Sequence, residues 1–171
     1  MKPHASLLVV DDEETFRVVL SHELERLGYA VRTAPSGEAG ILALADDIDV
    51  VLLDLRLPDM DGMEVLRRIR EKNPGADVIM LTGHGSIDTA IEAIRAGAFD
   101  YIAKPCPLGE LEVRIQRALE RQSLRRRATL LERGLTPPDV AGGFVGQRRV
   151  RAVAADDGPG GGEQRHGAGD G

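Results

Sequence analysis

Apolar residues cluster in four short runs, at residues 7–10, 50–53, 78–81 and 101–103. The first three are continuous and rich in branched side chains, the pattern of strands buried on both faces of a parallel sheet. A weaker stretch over residues 29–33 alternates apolar and polar positions and predicts an edge strand. Between the runs the spacing turns helical. Phe16, Leu20, Leu24 and Leu27 line one face, Val65, Leu66 and Ile69 a second, and Ile87, Ala90, Ile91 and Ile94 a third. Gly28 and Gly97 fall just past two of these helices, where a left-handed cap is expected, and Ser36 and Ser86 stand as N-caps. The result is a βα unit repeated five times in about 120 residues. Right-handed crossovers then put helices on both sides of an α/β, doubly wound, five-stranded parallel sheet, with ligands at the carboxyl ends of the strands.

Polar residues sit where that rule places chemistry. Asp11 and Asp12 follow the first strand, Asp54 the third, Thr82 the fourth and Lys104 the fifth. Three converging carboxylates repel one another, so the cluster calls for a cation or shifted pKa values. Carboxylate oxygens suit Mg²⁺, with Mn²⁺ the alternative, and Mg²⁺ shares itself readily with a phosphate. A carboxylate can also act as a nucleophile and form an acyl phosphate. Lys104, Thr82 and the Gly83 backbone N–H are then the available donors to phosphoryl oxygens. Singly, an Asp after a strand is an ordinary turn residue; one polar group per strand end, in this order, is far harder to reach by accident.

The segments VVDDEE, DLRLPDMDGMEVL, LTGHGSIDTA and FDYIAKP resemble the successive signatures of the bacterial response-regulator receiver family, over residues 5 to 121. The resemblance implies a flavodoxin-like sheet of order 2-1-3-4-5. It implies Asp54 as phosphoacceptor, Asp11, Asp12, Asp54 and the Arg56 carbonyl around the metal, and Thr82 and Lys104 on the phosphoryl group. It further implies Thr82 and Tyr101 as switch residues and a cis bond before Pro105 that aims Lys104 at the site. The implied partner is a sensor histidine kinase in phosphorelay signal transduction, and the chain is expected to accept phosphoryl rather than to turn over a substrate as an enzyme. Two other readings differ in class. A phosphatase forming an aspartyl phosphate would carry D-x-D at the nucleophile, but Arg56 occupies the second position. A non-catalytic kinase-binding or phosphoryl-sink module would keep its effect without Asp54 chemistry.

The C-terminal third departs from the pattern. Residues 106–107 read Cys-Pro where the family commonly has Phe first, so Cys106 is expected to be a small buried hydrophobe. Leu108, Leu111, Ile115 and Ala118 keep a helical rhythm, as do Leu124, Ala128, Leu131 and Leu135. Gln122 and Arg125 interrupt the seam, so residues 122–136 are expected to be a helical linker, either a short coiled coil or a solvated Arg-rich helix, and Arg125 to Arg127 a solvated face. Phosphorylation-linked homodimerisation is the output this suggests. From residue 137 the chain becomes glycine-rich and lacks a phosphate loop, so residues 137–171 are expected to be disordered. GGFVGQ resembles the opening of the ATPase domain in nitrogen-regulatory-type activators of sigma-54 polymerase, which suggests truncation by a lost reading frame near Gln147.

Charge and composition narrow the partners. A net charge of −6 argues against direct DNA binding, although arginines crowd residues 114–133. One cysteine excludes an internal disulfide, and neither an export signal nor a membrane-length apolar run stands out, so a cytoplasmic, membrane-free protein is expected. His4, His22, His84 and His166 share no metal-ligand spacing. His84, two residues past Thr82, could tune phosphoryl lifetime or be a plain loop residue.

Overall fold

In the computed structural model the described residues are 4–83 and 85–136. The chain alternates strictly: β1 Ser6–Val10, α1 Glu14–Arg26, β2 Ala30–Ala34, α2 Gly37–Ala43, β3 Val50–Asp54, α3 Gly62–Lys72, β4 Asp77–Thr82, α4 Ile87–Arg95, β5 Asp100–Ala103 and α5 Leu108–Glu132. All strand pairs are parallel, in the order β2-β1-β3-β4-β5. The sheet is therefore the 2-1-3-4-5 arrangement expected, with the alternating run at its edge as β2.

Two apolar layers hold it together. Leu8, Val10, Val51 and Leu53 point toward α2 and α3, where Val65, Leu66 and Ile69 are wholly buried. Leu7, Val9, Leu52 and Leu81 point the other way, onto Leu20 and Leu24 of α1 and Leu111, Ile115 and Ala118 of α5. Each fully buried Leu or Ile contributes about 1.5–3 kcal/mol relative to exposure. Ser36 and Ser86 accept the expected capping bonds from the Ala39 and Thr89 N–H groups. Gly28 and Gly97 have φ of 92° and 101°, a region where a side chain is strained.

Two helices differ from the stripes read in the sequence. In α4 the packed residue is Ala93, while Ile87, Ile91 and Ile94 are 81%, 44% and 47% exposed. The apolar stripe thus faces outward, and the small Ala93 lets the helix lie close to the sheet. In α5 the helix runs unbroken through residue 122, and the polar interruption of its seam has a structural cause. Gln122 is buried and donates from Nε2 to the Asp49 carbonyl at 2.6 Å. Arg121 and Arg125 pair with Asp77, which is 0% exposed at the start of β4. Arg126 pairs with Asp49 at 3.1 Å. Arg125 and Arg126 stay exposed, as a solvated face should, while their guanidinium groups reach acids at the floor of the sheet. The glycine-rich segment at residues 137–171 and His84 lie outside the described residues.

Candidate functional site

The β1–α1 connection is short: Asp11 follows the last residue of β1, and its Oδ1 accepts the Glu13 N–H at 2.9 Å, turning the chain into α1. The Asp11 carbonyl accepts from Arg17 at 2.6 Å and its N–H donates to Ala34 on β2. Asp11 is thereby buried and fixed, whereas Asp12 stays exposed. Asp54 ends β3, buried, with Oδ1 accepting the Arg56 N–H at 3.0 Å. Ligand oxygens of Asp11, Asp12 and Asp54 lie within 4.8 Å of one another.

Lys104 reaches the same point from the end of β5. Its Nζ donates to Asp11 Oδ2 and, at 3.1 Å, to Asp54 Oδ2. The bond from Lys104 to Pro105 is cis. Thr82, buried at the end of β4, accepts the Lys104 backbone N–H on its carbonyl at 2.7 Å. The site therefore assembles Asp11, Asp12, Asp54, Thr82 and Lys104 at the strand ends, as the sequence predicts. Tyr101 sits further back on β5. Its ring is turned inward, and its hydroxyl is buried with no hydrogen-bond partner among the described residues. A Cβ on Gly85 would collide with that hydroxyl and come within 2.7 Å of the Thr82 methyl. Cys106 is half-buried against the α1–α5 layer, and burial and Glu110 push its thiol pKa up, which disfavours the reactive thiolate.

Electrostatically the site is overloaded with negative charge. Burial pushes the Asp54 carboxyl pKa up, and Asp11 adds to this; the Arg56 N–H and Lys104 act against it. Burial alone would lower the Lys104 pKa, but its bonds and charge contacts with Asp11 and Asp54 raise it on balance. Two buried acids, one exposed acid and one ammonium leave net negative charge in a pocket of oxygen donors. That donor set fits Mg²⁺, which takes oxygen ligands and retains waters. Asp11, Asp12 and Asp54 are the residues that would hold it.

Several supporting residues were not singled out in the sequence. Gly62 begins α3 with its N–H on the Leu55 carbonyl at 2.8 Å, so close that a Cβ would collide with the Asp54 carbonyl oxygen and lie 2.7 Å from Leu55 Cα. Asp59 accepts from the Gly37 and Glu38 N–H groups, both at 2.8 Å, tying the β3–α3 loop to α2. Phe16, read only as a core position, holds the Lys104 ammonium 4.2 Å from its ring centroid.

Residues 7–116 match the response regulator receiver domain. The chain belongs to the response-regulator receiver family. The receiver shares 39% identity over 131 residues with the regulatory protein AtoC of Escherichia coli K12, covering 76% of this chain and 28% of that one. A receiver-domain structure from Clostridium thermocellum superimposes with a TM-score of 0.66 at 40% identity, covering 70% of this chain and 98% of that one. NtrX from Brucella abortus, solved in complex with ATP, gives 0.70 at 37% identity over 77% of this chain and 30% of that one. The chain thus spans roughly a quarter to a third of the full-length relatives it matches. Among the described residues no helix is long and apolar enough to cross a membrane.

Proposed function

We propose that this receiver accepts a phosphoryl group on Asp54 from the phosphohistidine of a sensor kinase or from a small acyl phosphate. The observation that carries the reading is the convergence of Asp11, Asp12, Asp54 and Lys104, with Asp54 the acid that faces the lysine from the middle of the sheet. An Asp54 carboxylate oxygen bonds to phosphorus as the donor's P–N or P–O bond breaks. The electron pair leaves with the imidazole, which takes a proton, or with the carboxylate. Mg²⁺, when bound at Asp11, Asp12, Asp54 and the Arg56 carbonyl, supplies the positive charge that offsets the phosphoryl oxygens. Lys104 supplies a second cation, and Thr82 a hydroxyl donor. Arg56 stands where an aspartyl phosphatase would place its acid–base, so turnover of external phosphate esters is not expected.

Phosphorylation then biases an existing equilibrium. The new dianion draws Thr82 inward, the Tyr101 ring is held in its inward seat behind it, and the surface of α4, β5 and α5 changes. The unburied isoleucines of α4 and the projecting α5 supply an apolar surface for a phosphorylation-linked homodimer, and the relatives named as regulatory proteins suggest transcription regulation as the destination. The test is intact mass after incubation with acetyl phosphate. One Mg²⁺-dependent phosphoryl adduct, absent from Asp54→Asn, is the expected result; an adduct retained in Asp54→Asn overturns it. Unchanged sedimentation mass on phosphorylation would sink the dimer.

A further inference from the structure

We propose that Phe16 is a positioning residue for phosphoryl transfer: its ring face holds the Lys104 ammonium and lets it move from carboxylate to phosphoryl oxygen. The inference rests on the phosphoacceptor reading above and names a residue that the acid cluster does not contain.

Among the described residues the Lys104 ammonium meets Asp11, Asp54 and the Phe16 ring, whose centroid is 4.2 Å away. That distance is within the range in which the negative face of an aromatic ring attracts a cation. Phe16 lies in the first turn of α1, two residues after Glu14, so the β1–α1 connection that carries Asp11 and Asp12 leads directly into the turn that carries the ring. Its outer surface packs into the layer between α1 and α5, which fixes its position. The side chain of Lys104 is only 15% exposed, so ring and carboxylates together exclude most water from the ammonium.

The chemistry of a ring suits this place better than that of a third acid. A carboxylate would add charge to a site already overloaded with it, and would fix the ammonium through directional bonds. A π face attracts the cation without net charge and without a preferred direction. Lys104 must keep its charge over Asp54 while its partner changes from a carboxylate oxygen to a phosphoryl oxygen. A flat, non-directional contact permits that small displacement.

The competing role is simple core packing, which leucine would also fulfil, and the test separates the two. In the full chain with Mg²⁺ and acetyl phosphate, Phe16→Leu is expected to slow adduct formation about threefold to tenfold, and Phe16→Trp to stay within about twofold of the parent. In a Lys104→Met background, Phe16→Leu is expected to slow the residual reaction no further. Equal slowing by Phe16→Leu in both backgrounds, or failure of Phe16→Trp to restore the rate, overturns the proposal. A parent chain that forms no adduct would defeat the phosphoacceptor reading instead. The heat-unfolding midpoints of the same four-variant cycle then decide on the contact itself: non-additive shifts support it, and strictly additive shifts overturn it.

Discussion

At the amino end of the sheet Asp49 and Asp77 meet Arg121, Arg125 and Arg126; at the carboxyl end, among the described residues, Asp11 and Asp54 share the one cation Lys104. The acids at the floor are matched by arginines whose forks suit carboxylates, and the Asp49 side chain also accepts the Ser6 N–H at 3.0 Å. The acids at the mouth are left with excess negative charge, and burial pushes the Asp54 pKa up. The same residue type therefore serves two ends. At the floor it fastens α5 to β3 and β4. At the mouth its unmet charge is a capacity to bind, and the cost to the metal-free fold is the condition of that capacity.

The comparison breaks most visibly at the floor. Removing both arginines from Asp77, as Arg121→Ala with Arg125→Ala, leaves a buried acid unpaired and is expected to cost about 3 kcal/mol, read as a lower urea midpoint at unchanged slope. A double variant as stable as the parent would show the floor pairs to be dispensable. Next comes metal. Saturating Mg²⁺, at about a hundredfold over its dissociation constant, is expected to stabilise the parent by about 2.7 kcal/mol and to be reversed by chelation. The gain should shrink sharply in Asp54→Asn and persist in a floor variant that still folds.

A smaller effect concerns pH. Because the Asp54 pKa is raised in the folded state, the folded protein keeps a proton there that the unfolded chain has already lost. Metal-free stability attributable to Asp54 is thus greatest below the ordinary carboxylate pKa and falls as pH rises through the folded value. Asp54→Asn should abolish that decline and, at neutral pH without metal, raise the heat midpoint by about 2–4 °C, or on the order of 1 kcal/mol. A lowered midpoint would mean that the bond to Lys104 outweighs the strain. The smallest change is expected on a face that belongs to neither end. Ile91→Ser should alter stability by less than about 0.5 kcal/mol, while reducing self-association of the phosphorylated chain in sedimentation.

The sequence disclosed the strands, their order and the strand-end residues because each follows from local pattern plus a handedness rule. Residues 7–10 and 50–53 are apolar without interruption, and only the central strands of a covered parallel sheet demand that. The α4 stripe misled for a physical reason: periodicity reports that a helix has an apolar side, not that anything covers it. Ala93, which does the packing, is too small to register as a signal. The floor was illegible because its pairs join residues 44 and 48 positions apart, and neither Asp77 nor Arg125 carries a mark of its partner. Phe16 was legible as a helix position and not as the neighbour of Lys104, since only the fold brings residues 16 and 104 together.

Gly85 has a genetic consequence. Every missense change at that codon adds at least a Cβ, and the space a Cβ needs is held by the Tyr101 hydroxyl. Inheritance of any such allele would evict the ring from its inward seat whether or not a phosphoryl group had arrived, so a lineage could acquire a receiver deaf to its signal by one base change at a position that touches neither Asp54 nor Lys104.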